Sequence, residues 1–93
     1  MSEPKDDQIL RVSASGNPQA LASAIAHAIY ETKEVKLRAI GAGSVNQAMK
    51  AIAIARGYTA PRGIDLACVP GFASVDSNGD TISAIVLKVI VVN

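Results

Sequence analysis

Residues Ala39–Gly57 read AIGAGSVNQAMKAIAIARG. Two glycines stand one residue apart, and a long run of alanine, isoleucine and methionine follows them. The layout is a strand that ends in a glycine turn and opens directly into a helix. Proteins use the same layout to hold phosphates, because the first N–H groups of a helix are unsatisfied and its dipole favours an anion. The full dinucleotide pattern G-x-G-x-x-G fails here, since Asn46 stands where the third glycine belongs. Asp65 lies near the position where an acidic residue is expected, but the elements after the helix do not follow the order of a Rossmann half. No Gly-Lys-Ser/Thr follows the turn, so a P-loop is excluded. What is left is a tight Gly41–Gly43 turn, a helix capped by Ser44, and the weak anion affinity of any exposed helix start.

Upstream of the turn, Glu34–Ile40 (EVKLRAI) alternates with period two. Val35, Leu37 and Ala39 point one way, and Lys36, Arg38 and Ile40 the other, which is the pattern of a half-buried strand. Further back, Gln8–Ser13 (QILRVS) reads as a short strand. The break SASGNP then offers Asn17 as an N-cap and Pro18 as the first helical residue. Helix one is expected from Pro18 to about Glu31, with an apolar stripe of Leu21, Ile25, Ala28 and Ile29. Helix two is expected to end near Arg56–Gly57, with Gly57 as its stop.

Downstream, Pro61-Arg62-Gly63 leads into a third strand near Ile64–Val69. Ser77-Asn78-Gly79-Asp80 is a hairpin turn. Thr81–Val92 (TISAIVLKVIVV) is apolar on both faces, which places it centrally in a sheet. The order is β-α-β-α-β-β. The βαβ crossovers favour parallel pairing with right-handed connections. The expected fold is α+β, a two-layer sandwich with a four-stranded mixed sheet and two helices on one face. Residues 8–93 form one domain, and Met1–Asp7 read as a mobile tail.

At 93 residues, a second core would not fit. The chain is 49% hydrophobic, but alanine supplies much of that and buries little area per residue. With only two helices, one sheet face stays open while the last strand carries apolar residues on both sides. An apolar patch on an open face marks an interface, so a homo-oligomer is expected. Net charge is +1, so any basic patch must be local. Cys68 is the sole cysteine; it excludes a disulfide framework and a cysteine metal site, and suggests a reducing compartment. The polar start MSEPKDDQ is unlike a signal peptide, and no apolar run approaches the ~18 residues of a membrane span. A soluble, cytoplasmic protein without membrane, metal or cofactor partners is expected.

The candidate binding residues form three groups. Asn46, Gln47 and Lys50 decorate the first turns of helix two, where Asn46 and Lys50, four apart, share a face. That cluster could grip a phosphate or a base edge, or be an ordinary solvated face. Arg11, Lys36, Arg38 and Lys88 all fall on strands, and in the right registers several would share the open face. Arg56 and Arg62 flank the exit of helix two. Such a stripe suits phosphate contacts to nucleic acid, a solvated sheet face, or the rim of an oligomer interface. Tyr30, Tyr58 and Phe72 are the only aromatic residues, so base stacking on a platform is not expected. His27 lacks a Ser/Cys/Asp constellation, Cys68 reads as a small core residue, and Asp65, Asp76 and Asp80 are scattered near turns. No case for an enzyme emerges.

The Ala39–Gly57 block, read as AIGAG-x-x-NQA-x-KA-x-AIARG, resembles the signature of the stage V sporulation protein S family. LRVSASGNPQALASAIA from Leu10, APRGIDL from Ala60, and Pro70 resemble the family's other landmarks. The resemblance covers Leu10–Val92 and implies the Alba-like superfamily of small β-α-β-α-β-β proteins. It further implies a dimeric or tetrameric, non-enzymatic regulator of sporulation that binds DNA or RNA mainly through phosphates. Archaeal Alba proteins carry basic residues in the loop after strand one and in the turn before helix two. Here those places read SASGNP and GAGS, so their phosphate contacts do not transfer, and Arg38 and Lys50 are the nearest basic residues. Two other readings stay open: an oligomeric protein-interaction scaffold, and a small-anion binder at the start of helix two.

Overall fold

The computed structural model describes residues 9–93. The expected tail Met1–Asp7, and Gln8 of the expected first strand, lie outside the described residues. The elements are β1 (Ile9–Val12), α1 (Pro18–Thr32), β2 (Glu34–Ala39), α2 (Ala42–Thr59), a single 3-10 turn (Ala60–Arg62), β3 (Leu66–Ser77) and β4 (Asp80–Val91). The sheet order is β1-β2-β4-β3, with β1 and β2 parallel and the other pairings antiparallel. This is the expected four-stranded mixed sheet, with β4 in its interior.

The alternation of β2 sets the layers. Val35, Leu37 and Ala39 are buried beneath the helices, opposite Val89, Leu87 and Ile85 of β4. Ile25 and Ile29 of α1, and Ala48, Ala51, Ile52 and Ala55 of α2, complete the core. The helix stripes are rich in alanine, which lets the two helix backbones approach each other and the sheet closely. Dense packing therefore compensates for the small area each alanine buries.

Helix α1 starts as its sequence dictates. Asn17 Oδ1 accepts hydrogen bonds from the N–H groups of Gln19 (2.8 Å) and Ala20 (3.2 Å), and Pro18 occupies the first turn. It ends at Lys33, a left-handed residue (φ 70°) whose N–H bonds Ile29 O.

Helix α2 departs from expectation at both ends. Its N-cap is Gly41 at φ 90°, with no side-chain cap, and Ser44 is buried inside the first turn rather than capping it. The two glycines have different causes. Gly41 adopts a φ that a side chain resists. A Cβ on Gly43 would stand 3.1 Å from the Cβ of Ala14, so Gly43 lets the helix start approach the β1–α1 loop. At the other end the helix runs through Gly57 to Thr59. The exposed Gly57 only weakens helical propensity, by about 1 kcal/mol against alanine. The stop comes from Pro61 in the 3-10 turn and from Gly63 at φ 77°.

Strand β3 is longer than the expected Ile64–Val69, continuing through Pro70 and Gly71 to Ser77. It is an edge strand, where proline's missing N–H can face away from the ladder at no cost. Asn78 (φ 52°) and Gly79 (φ 84°) then make the two-residue hairpin turn that the sequence signals. Cys68 packs half-buried against the core. The C-terminus is stitched to the β3 entry: Asn93 Oδ1 accepts from Asp65 N–H (2.9 Å), and its Nδ2 donates to Gly63 O (2.8 Å).

Candidate functional site

The strand registers decide which cations meet. On the helix-free face, one cross-strand row runs Ile9, Lys36, Lys88, Val69, and the next runs Arg11, Arg38, Val86, Gly71. Arg11 pairs with Arg38, and Lys36 with Lys88, so four cations fill two adjacent rows. The row beyond Lys36 holds Glu34, opposite Ile90. Among the described residues the ion pairs are His27–Glu31 (3.1 Å) and Arg56–Asp65 (2.9 Å), and neither involves these four cations. Like charges directly opposite on a sheet repel, by an amount of order 0.2–1 kcal/mol. The face is thus electrostatically loaded and suited to take up negative charge.

The open face is also concave. Arg11 and Ile9 of β1, Arg38 of β2, Val86 of β4, and Ala73–Val75 of β3 line a hollow of about 320 Å³. Residues from both sheet edges border the same hollow, so the sheet curls over its helix-free side. Its twist carries the long β3–β4 hairpin towards the arginines. A second hollow of about 190 Å³ lies where β1 meets α1, lined by Arg11, Val12, Asn17, Leu21 and Gln47 among others.

The structure does not bring Arg38, Asn46, Gln47, Lys50, Arg56 and Arg62 together. Arg38 lies, half-buried, on the helix-free face. Asn46 and Lys50 are exposed on α2, in the layer on the other side of the sheet. Gln47 reaches from α2 to the β1–α1 loop, where its Nε2 donates to Gly16 O at 2.7 Å. Arg56 grips Asp65, with Nη2 at 2.9 Å and Nε at 3.3 Å from Oδ1. Those bonds, with that from the Leu66 N–H, hold the Asp65 carboxyl below its ordinary range. Arg62 stacks over the Tyr30 ring at 4.0 Å, and the Tyr30 hydroxyl donates to Tyr58 O. Arg11, Lys36 and Lys88 become Arg38's neighbours only through the register. Period-two alternation assigns each residue a face within its own strand, but not its partner across the ladder.

The start of α2, which the glycine turn suggested as a phosphate cradle, has no side-chain cap, and its two glycines are explained by backbone geometry. His27 is exposed on α1 and, among the described residues, pairs with Glu31. No group of three or more His, Cys, Asp or Glu that could hold a metal occurs among the described residues. No helix among them is long and apolar enough to cross a membrane.

A family model described as Stage V sporulation protein S (SpoVS) matches residues 8–92 of the 93-residue chain.

Proposed function

The chain belongs to the stage V sporulation protein S family, and from that premise we propose that it is a non-enzymatic regulator that binds DNA or RNA through phosphates on the helix-free face of its sheet. One observation carries the reading: Arg11, Lys36, Arg38 and Lys88 occupy two adjacent cross-strand rows of that face. Such a block costs folding energy unless polyanion takes it up, and its lateral spacing follows the strands at about 4.8 Å. The contacts read no base identity, because Tyr30 and Tyr58 sit on the helices and Phe72 faces away from the cations, leaving no stacking platform beside them.

Of the residues the sequence singles out, the strand cations Arg11, Lys36, Arg38 and Lys88 lie on this face. Asn46 and Lys50 form a separate exposed pair on α2, available to a strand that turns round the sheet edge. Gln47, Arg56 and Arg62 already have protein partners, so a phosphate contact would exchange one interaction for another.

Self-association belongs to the same proposal. Phe72 is 84% exposed and Val69 49%, on opposite faces of edge strand β3. Pro70 between them interrupts backbone pairing along that edge, so side-chain packing rather than sheet extension would join two copies.

Fluorescence anisotropy with single- and double-stranded oligonucleotides tests the function. Affinity should fall steeply between about 50 and 200 mM salt. Each cation removed by alanine should lower the slope of log K against log salt by about 0.7–0.9. No binding at the lower salt, or a slope indifferent to all four substitutions, rejects the reading. A protein-interaction scaffold would instead retain its partners from nuclease-treated extract.

A further inference from the structure

The Arg11–Arg38 pair is more specific than the cation block around it. We propose that the hollow it borders is a binding site for a phosphate monoester about the size of a mononucleotide, supplied either by a free nucleotide or by the 5′-phosphorylated end of a strand. This goes beyond backbone binding and does not depend on it.

Size comes first. A hollow of about 320 Å³ is a cube about 7 Å on a side. It lies at the small end of the ~300–1,000 Å³ range of small-molecule sites. A duplex, whose major groove alone is about 12 Å wide, does not enter such a space. The neighbouring 190 Å³ hollow falls below that range.

Charge comes second. Two guanidiniums at one register position present two fixed forks to a single anion. A phosphate monoester carries about −1.5 to −2 at neutral pH and three strong acceptor oxygens, which match two arginines. An internal phosphodiester carries a single charge and leaves one arginine uncompensated. Arg38 is half-buried, so solvent and salt screen it less than a fully exposed cation.

Lining comes third. Ala73, Val75 and Val86 give the wall opposite the arginines an apolar surface. Charge at one side and apolar surface at the other is the usual make-up of a site for a polar-headed small molecule.

Calorimetric titration with adenosine 5′-monophosphate and with adenosine tests the site on the unmodified protein. The monophosphate should bind and the nucleoside should not. Competition between 5′-phosphorylated and 5′-hydroxyl oligonucleotides identifies the source: preference for the phosphorylated end assigns a strand terminus, and binding of the free nucleotide alone assigns a small ligand. Arg38→Lys keeps the charge but loses the fork, and Ala73→Leu fills the hollow from the hairpin side with both arginines intact. Each should weaken monophosphate binding about tenfold or more. The proposal is overturned if neither phosphorylated probe outbinds its dephosphorylated counterpart, or if both variants bind the monophosphate as the parent does. The 5′-hydroxyl oligonucleotide separately reads backbone binding, so loss of that signal alone rejects the polymer reading and leaves this site standing.

Discussion

Arg11 and Arg38 stand directly opposite one another on neighbouring parallel strands, on the face of the sheet that the helices leave open. Lys36 and Lys88 repeat the arrangement one row away, across an antiparallel pair. Both pairs set like charges where a fold selected for stability alone would set opposite ones.

Relieving that repulsion should therefore stabilise the protein while weakening its proposed function. Lys36→Glu turns the Lys36–Lys88 opposition into an ion pair, and should raise unfolding free energy by about 0.2–1 kcal/mol. Urea denaturation at low and high salt checks this, because the gain should shrink as salt screens it. The same variant should bind oligonucleotides more weakly.

Glycines at the two ends of α2 should respond in opposite directions. Gly41→Ala forces a side chain into φ 90° and should cost about 1–3 kcal/mol. Gly57 has no positive φ, and a methyl added there would meet no neighbour within 4 Å, so Gly57→Ala should stabilise by about 0.5–1 kcal/mol. Equal effects in thermal melts would contradict the observed helix bounds.

Adjacent residues of β2 should behave unlike each other. Leu37 is fully buried beneath the helices, and Leu37→Ala should cost about 2–5 kcal/mol. Arg38→Ala, on the other face, should change stability by no more than about 0.5 kcal/mol. Chemical denaturation of the two variants measures the difference.

The Arg56–Asp65 contact should appear in the acid limb of stability. The Arg56 guanidinium, then the Leu66 N–H, lower the Asp65 pKa in the folded state below 3.8. A lowered carboxylate pKa contributes stability above its unfolded value, about 3.9, and loses it as pH falls through the folded value. Asp65→Asn should flatten the stability profile below about pH 4 and leave its slope near pH 7 unchanged. An unaltered acid limb would show that the contact is too well solvated to matter.

Phe72→Asp places a charge at the most exposed apolar side chain of β3. Sedimentation should show the parent as an oligomer at micromolar concentration, about the range of a modest interface, and the variant as a monomer. A monomeric parent would remove self-association from the proposed function.

Period and punctuation made most of the fold legible. Val35, Leu37 and Ala39 announced the buried face of β2, Asn17-Pro18 the start of α1, and Asn78-Gly79 the hairpin. Failures fell where local signals compete. Ser44 has the chemistry of a cap, yet the helix starts earlier, with Gly41 as its N-cap, and Ser44 is buried inside the first turn. Pro70-Gly71 looks like the end of a strand, but an edge position needs no donor on its outer side.

The sequence by itself determined the element order, the central place of β4, and the face each β2 side chain takes, because these follow from periods of 2 and 3.6 within continuous segments. Tertiary structure alone decided that Arg11 meets Arg38 and Lys36 meets Lys88, that Arg56, Arg62 and Gln47 are held by protein partners, and that Lys50 lies across the sheet from Arg38. Each of those facts depends on pairings between segments far apart in the chain, and a strand's own alternation carries no record of its register against another.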